Sequence, residues 1–107
     1  MRILIADTQS KVRYALSVLL QEQQGWKIVG SAVDAGDVLA KIISLKPYVL
    51  ILDWVLPGLL HADLLSAIRR LSENLMIISI SPTLRYNSKF FPWARISLPA
   101  KSIHPSC

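Results

Sequence analysis

The chain has almost no cysteine, and the single one, Cys107, is the last of its 107 residues. A disulfide framework needs cysteine pairs and is therefore excluded. Long apolar runs are also lacking, since none reaches the roughly 18 residues that suggest a membrane-spanning helix. Met1-Arg2 leads directly into a strand pattern, which leaves no room for a signal peptide. These features predict a cytoplasmic protein without a membrane partner.

Acidic residues are missing from the C-terminal part of the chain, because all seven lie in residues 1–73. Residues 74–107 carry four basic residues, which supply most of the net charge of +5. These positive charges are spread along the segment rather than clustered, unlike the basic patch of a nucleic-acid-binding protein. We therefore expect no nucleic-acid binding by this chain alone.

Up to Ser81 the sequence contains a regular alternation of strand and helix patterns. Short apolar runs alternate with segments whose apolar residues recur every three to four positions, as on one face of a helix. Such an alternation predicts an α/β fold with a parallel sheet, right-handed crossovers and helices on both faces. The predicted strands are residues 2–7, 26–32, 48–53 and 75–80, and the predicted helices are residues 9–24, a segment between Asp34 and Pro47, and residues 62–72.

After Ser81 the helical periodicity is lost, and four of the six prolines fall in the remaining residues. A short fifth strand is predicted at residues 94–98, with no closing helix after it. We therefore divide the chain into a core, residues 1–81, and a divergent basic tail, residues 82–107. The sequence leaves open whether the C-terminal edge of the sheet is complete.

Two acidic residues stand at the ends of apolar runs. Asp7 follows the first predicted strand, and Asp53 follows the third. A carboxylate that follows so apolar a strand is expected at the point where the strand emerges from the core. In open α/β sheets, ligands bind in the crevice outside the carboxyl ends of the strands. Two carboxylates at that edge can hold a metal ion or receive a phosphoryl group.

Four segments carry a resemblance to a known family. They are residues 1–7 (MRILIAD), residues 28–32 (IVGSA), residues 46–53 (KPYVLILD) and Pro57, four residues after Asp53. In their order and intervals they resemble the receiver domain of two-component response regulators, and most closely receivers joined to helix-turn-helix transcription regulators. The resemblance covers about residues 1–81. It implies a flavodoxin-like, doubly wound parallel sheet with strand order 2-1-3-4-5.

The resemblance also implies site residues, a cofactor and a partner. Asp53 matches the phosphoacceptor, which takes a phosphoryl group from a partner histidine kinase or phosphotransfer protein. Asp7, Asp53 and the backbone carbonyl of Val55 match the ligands of Mg²⁺. Ser81 matches the switch hydroxyl of strand four, and Lys101 is the candidate for the lysine that pairs with the phosphoryl group. Such a domain signals rather than turning over a substrate, so we do not expect an enzyme.

The chain departs from the family pattern at several positions. The family has a pair of acids at the end of strand one; Asp7 matches the first of them, and Thr8 stands in place of the second. This loss should weaken Mg²⁺ binding because affinity for hard cations rises with ligand charge. His61 stands where the family usually has glycine, which would cost roughly 1 kcal/mol if a positive φ angle were needed there. Lys101 lacks the proline that normally follows the family's lysine, and the last helix is absent.

These departures leave three functions open. The chain is an active receiver, a degenerate receiver that binds a protein partner without phosphorylation, or a truncated fragment of a transcription regulator. Thr8 and the altered tail favour the second. The abrupt change in charge and proline content after Ser81 motivates the third. Self-association is also open, because receivers often pair through the face to which the tail would contribute.

Overall fold

The computed structural model describes residues 1–80 and 94–97, which form one sheet with three helices packed against it. The strand order, β2-β1-β3-β4-β5, is the predicted one, and the flavodoxin-like α/β fold is confirmed. The strands are β1 (Arg2–Ala6), β2 (Lys27–Ala32), β3 (Val49–Asp53), β4 (Met76–Ile80) and β5 (Ala94–Ser97), and the helices are α1 (Ser10–Gln21), α2 (Ala35–Leu45) and α3 (His61–Leu71).

The first four strands run parallel, but β5 runs antiparallel to β4. Ile80 pairs with Ala94 and Ile77 pairs with Ser97, so the amino end of β5 lies beside the carboxyl end of β4. In this direction β5 departs from a doubly wound parallel sheet. A parallel neighbour needs a crossover that is usually helical. The sequence between Ile80 and Ala94 lacks the helical periodicity for one.

The face of the sheet under α2 and α3 contains the larger part of the core. We call it the α2/α3 face. Apolar residues at every third or fourth position of each helix meet alternate residues of the strands. The buried members are Leu4, Ala6, Ala32, Leu50, Leu52 and Ile77 from the strands, Ala35, Val38, Ile42, Leu64 and Ile68 from the helices, and Leu56 and Leu75 from the loops.

Helix α2 has a defined start and end. The Asp34 side chain accepts a hydrogen bond of 2.8 Å from the Asp37 backbone N–H, as at a typical N-cap. Lys46 ends the helix with a φ angle of 50°, the left-handed conformation common at helix C-termini. At the start of α1, in contrast, the Gln9 side chain makes no capping hydrogen bond.

The opposite face, which we call the α1 face, is covered within residues 1–80 by α1. Leu16 and Leu20 of this helix pack on a smaller buried cluster, formed by Ile3, Ile5, Val49 and Ile51. No residue of α1 is fully buried. Its Tyr14 is 72% exposed and its Leu19 is 60% exposed. None of the helices in the described part of the chain has the length and apolar character that a membrane span requires.

Candidate functional site

Asp7 and Asp53 lie side by side where β1 and β3 end. These strands are neighbours, and Ala6 pairs with Leu52 in their parallel register. The next residue along each strand is therefore an acid, and neighbouring strands are only about 4.8 Å apart. Both acids are buried, each 8% exposed. The structure thus places the two predicted carboxylates together at one edge of the sheet.

The turns after the two strands have the same local geometry. The Gln9 backbone N–H donates to Oδ1 of Asp7 at 2.8 Å, and the Val55 backbone N–H donates to Oδ1 of Asp53 at 3.2 Å. Each bond spans two residues, the pattern of an Asx-turn. One oxygen of each carboxylate is thereby oriented by the backbone. Arg13 of α1 steadies the first turn, because its Nη1 donates to the Asp7 carbonyl oxygen at 2.6 Å.

The electrostatics of the site centre on Asp53. Burial raises the pKa of its carboxyl group above the ordinary 3.8, the hydrogen bond from Val55 opposes this, and the neighbouring Asp7 carboxylate raises it further. Two acids at close range repel each other when both are ionised. A cation bound between them would relieve this repulsion and favour the ionised form.

The segment after Asp53 is fixed to the sheet and to the core. The Trp54 backbone N–H donates to the Ile80 carbonyl oxygen at 2.8 Å, which extends the pairing of β3 with β4 by one residue. Leu56 is 4% exposed within the α2/α3 face. Val55, whose carbonyl is a predicted metal ligand, lies between these two anchored residues. Its backbone is therefore held in place on both sides.

The same loop also contacts the start of α2. The Pro57 carbonyl oxygen accepts a hydrogen bond of 2.8 Å from the Ala35 backbone N–H. Gly58 has a φ angle of 112°, and a Cβ atom there would come within 2.9 Å of the Ala35 Cβ. Both the backbone conformation and the close approach therefore require glycine.

The residues at the ends of β1 and β3 offer oxygen ligands for a cation. The carboxylates of Asp7 and Asp53, the Val55 carbonyl and the Thr8 hydroxyl are hard ligands, which fit Mg²⁺. Within residues 1–80 and 94–97, no three side chains of the His, Cys, Asp or Glu type come together as a metal site. Thr8 occupies the position at which the family's second acid would stand. The donor set therefore fits a cation that keeps several of its waters.

Three side chains form a further cluster beside the loop: Trp54, His61 and Ser79. The His61 ring stacks on the Trp54 ring, with centroids 3.9 Å apart and an angle of 17° between the planes. Its Nε2 lies 3.3 Å from Oγ of Ser79. Its Nδ1 is buried and has no hydrogen-bond partner among the described residues. Burial lowers the pKa of His61 below 6.5, so the ring is neutral at neutral pH.

The backbone strain considered for His61 does not arise. Among the described residues, Lys46 is the non-glycine residue with a positive φ angle. His61 is the first residue of α3 and follows Leu60, whose backbone is extended. A side chain is therefore tolerated where the family usually has glycine.

Two predicted site residues, Ser81 and Lys101, lie outside the described residues. Ser81 follows Ile80, which pairs with Asp53 in the register of β3 and β4. Lys101 follows β5, whose carboxyl end lies beside Ile77, in the amino-terminal half of β4. The roles of Ser81 and Lys101 stay predictions.

Sequence reasoning missed the parts played by Arg13 and Ser79. Ser79 interrupts an apolar strand at an inward-facing position and is 2% exposed. A buried hydroxyl needs a hydrogen-bond partner, so its position in the strand pattern was a usable signal. Arg13 gave no such signal, because one basic residue in the first turn of a helix is ordinary.

Comparison with known proteins places this geometry in a family. Residues 3–89 match the response regulator receiver domain. Protein-glutamate methylesterase/protein-glutamine glutaminase 5 of Myxococcus xanthus is 38% identical over 73 residues, which are 68% of this chain and 20% of that protein. The chain therefore spans about a fifth of this curated relative.

Solved structures agree with this match. The response regulator domain of Thermotoga maritima CheB superposes with a TM-score of 0.70 at 30% identity, over 76% of this chain and 60% of that one. The isolated REC domain of RcsB from Salmonella enterica serovar Typhimurium gives a TM-score of 0.73 at 26% identity, over 78% of this chain and 62% of that one. The chain belongs to the response regulator receiver domain family.

Proposed function

We propose that the chain accepts a phosphoryl group on Asp53 from the phosphohistidine of a partner histidine kinase or phosphotransfer protein. The observation that carries this proposal is the pair of buried carboxylates, Asp7 and Asp53, at the carboxyl ends of two adjacent parallel strands. Membership in the receiver family, a family of two-component signalling, supports it. The RcsB receiver domain was solved in the presence of the phosphomimetic BeF3⁻, which also supports it by analogy.

The proposed phosphoryl transfer requires little covalent chemistry from the chain. A carboxylate oxygen of Asp53 attacks the phosphorus, the bond from phosphorus to the donor nitrogen breaks, and the electron pair stays on the donor imidazole, which takes up a proton. Phosphoryl transfer depends mainly on positioning and on charge stabilisation. The amide of Val55 fixes one Asp53 oxygen, and burial keeps bulk water from the acid.

Asp7, Asp53 and the Val55 carbonyl would hold Mg²⁺. When bound, the ion supplies positive charge against the phosphate oxygens of the donor. Thr8 offers a neutral oxygen in place of a third carboxylate, so we expect a weak Mg²⁺ site. The reaction should therefore need a higher Mg²⁺ concentration than a site with three acids would.

Restoring the acid at position 8 tests this proposal. In Thr8→Asp, the Mg²⁺ concentration that half-saturates phosphorylation by acetyl phosphate should fall by about tenfold, because a third anionic ligand joins the site. Thr8→Val removes the oxygen but nearly keeps the shape, and should shift the value upwards. If Thr8→Asp left the Mg²⁺ dependence unchanged, residue 8 would not face the ion, and Thr8 could not be the reason for a weak Mg²⁺ site.

A second candidate function is that of a degenerate receiver, which binds a protein partner without phosphorylation; it rests on Thr8. Thr8 stands where the family usually has a second acid, so the chain offers one anionic ligand fewer than the family pattern. A degenerate receiver would bind its protein partner equally well with and without the Asp53→Asn substitution. Equal partner affinity of the unaltered and substituted chains, together with no phosphoryl adduct, would favour this function over the first.

A further inference from the structure

The Trp54–His61–Ser79 cluster joins three parts of the fold at the phosphoacceptor loop. Trp54 directly follows Asp53, His61 begins α3, and Ser79 lies in β4. The stack on Trp54 and the contact with Ser79 use the two sides of one imidazole: its face and its Nε2 edge. One side chain thus links the loop, the helix and the strand next to the site.

The geometry selects one form of the His61 ring. A neutral imidazole carries a single proton, on either nitrogen. With the proton on Nε2, the ring donates to Oγ of Ser79, and the buried Nδ1 is left as an unpaired acceptor. With the proton on Nδ1, a buried N–H would lack an acceptor, which is rarer and more costly in folded proteins. The Nε2–H tautomer is therefore the one that fits.

The Trp54–His61–Ser79 cluster lies next to the backbone groups that the proposed phosphoryl transfer needs. Trp54 is 39% exposed, and the His61 ring packs against the face of its indole. Trp54 precedes Val55, whose amide orients Asp53 and whose carbonyl is a proposed metal ligand. Together with the Trp54 N–H bond to Ile80, the stack restrains the residue from which the Val55 amide and carbonyl follow. Glycine at position 61 would provide neither the stack nor the bond to Ser79.

We propose that His61 is a positioning residue for phosphoryl transfer: it fixes Trp54, and through it the Asp53–Val55 segment, against β4. Because this role presupposes transfer to Asp53, it rests on the function proposed above. His61 does not need to touch the phosphoryl group. At this position the chain departs from the glycine that the family usually has.

The test compares rates of phosphoryl adduct formation on the full chain, by intact mass, with acetyl phosphate and Mg²⁺. His61→Gly removes both contacts and should slow the reaction by about tenfold, since small displacements of reacting groups have large effects on rate. His61→Phe keeps an aromatic stack and should recover most of the rate. Ser79→Ala keeps the stack and loses the bond, so its rate should lie between those of His61→Gly and His61→Phe.

Ala62→Gly is the matched control. Ala62 is the next residue of α3 and is exposed, so this change adds a helical glycine without touching the cluster. Its rate should equal that of the unaltered chain. If His61→Gly reacted as fast as Ala62→Gly while both stayed folded by circular dichroism, the positioning role would be refuted. If the unaltered chain took up no phosphate, the proposed function would fail instead, and the positioning role with it.

The structural half of the proposal is measured without phosphate. In a histidine-labelled chain, the ¹⁵N shifts of His61, assigned by their loss in His61→Gly, should report the Nε2–H tautomer at neutral pH. In an Nδ1–H tautomer the bond would run the other way, from the Ser79 hydroxyl to Nε2, and a rapid mixture of the two tautomers would mean that no single bond holds the ring. Either result would overturn the direction assigned to the bond with Ser79, while the stack on Trp54 is judged by the rates of His61→Gly and His61→Phe.

Discussion

The two faces of the sheet differ in how completely the described residues cover them. On the α2/α3 face, two helices bury a continuous core that includes the loop residue Leu56. On the α1 face, a single helix with no fully buried residue lies over a smaller cluster. The loop after Asp53 and the His61 cluster are attached to the first of these. The loop after Asp53 therefore depends on the well-packed face for its geometry, while the Asp7 turn is held by Arg13 of α1.

Core truncations should separate the two faces most strongly. Ile68→Ala, in α3, removes a side chain that is 0% exposed and should cost about 2–5 kcal/mol of the free energy of unfolding. Leu16→Ala, in α1, removes a half-buried side chain and should cost roughly 1 kcal/mol. Urea unfolding of both variants measures the difference. Equal losses would show that the α1 face is packed as tightly as the other.

Helix caps test the same contrast on a smaller scale. Asp34→Ala removes the side-chain cap of α2 and should cost about 1 kcal/mol. Gln9→Ser supplies α1 with a cap that it lacks, and should add roughly 0.5–1 kcal/mol. Thermal unfolding would show the opposite signs. A loss of stability in Gln9→Ser would mean that the start of α1 cannot adopt a capped geometry.

Asp53 is the last residue of β3 and is buried, and its charge should oppose folding. Because burial and Asp7 raise its folded pKa above 3.8, the unfolded chain gives up its proton more easily. The resulting penalty is fully present above the folded pKa and disappears as the pH falls through it towards 3.8. Asp53→Asn should thus be more stable at pH 7, by about 0.5–1 kcal/mol, as is common for active-site substitutions.

The control for this prediction is the pH dependence of the difference in stability between the unaltered chain and Asp53→Asn. Thermal unfolding of the two chains should give curves that converge towards low pH. An unaltered chain that is the more stable of the two at pH 7 would indicate that Asp53 is stabilised by its surroundings rather than strained by them.

The smallest expected effect concerns His61. Its folded pKa is lowered by burial, so the unfolded state binds a proton first as the pH falls below about 6.5. The unaltered chain therefore loses stability between that pH and the lower folded pKa. His61→Asn cannot titrate and should lose less over the same range. Parallel stability curves between pH 7 and pH 5 would count against a buried, neutral ring.

Most of the helices and strands could be predicted from the sequence, but the direction of β5 could not. Strands β1 to β4 and the three helices have strong apolar periods, so the predicted ranges agree with the structure to within a few residues. Asp7 and Asp53 could be placed together because register follows from adjacent parallel strands. A short apolar run does not indicate whether it pairs parallel or antiparallel with its neighbour, so the direction of β5 relative to β4 could not be predicted.

The His61 cluster was beyond prediction for a different reason. The stack with Trp54 spans seven residues along the chain, and the contact with Ser79 spans 18. Contacts of this kind depend on where helix α3 is placed over the sheet, and no local pattern encodes that. The sequence indicated only that His61 was unusual for its position.

The central claim is that Asp53 receives the phosphoryl group. The most direct test is the intact mass of the chain after incubation with acetyl phosphate and Mg²⁺, beside Asp53→Asn treated in the same way. We predict one phosphoryl adduct on the unaltered chain and none on the variant. A folded chain without an adduct, or an adduct of equal yield on Asp53→Asn, would contradict the claim.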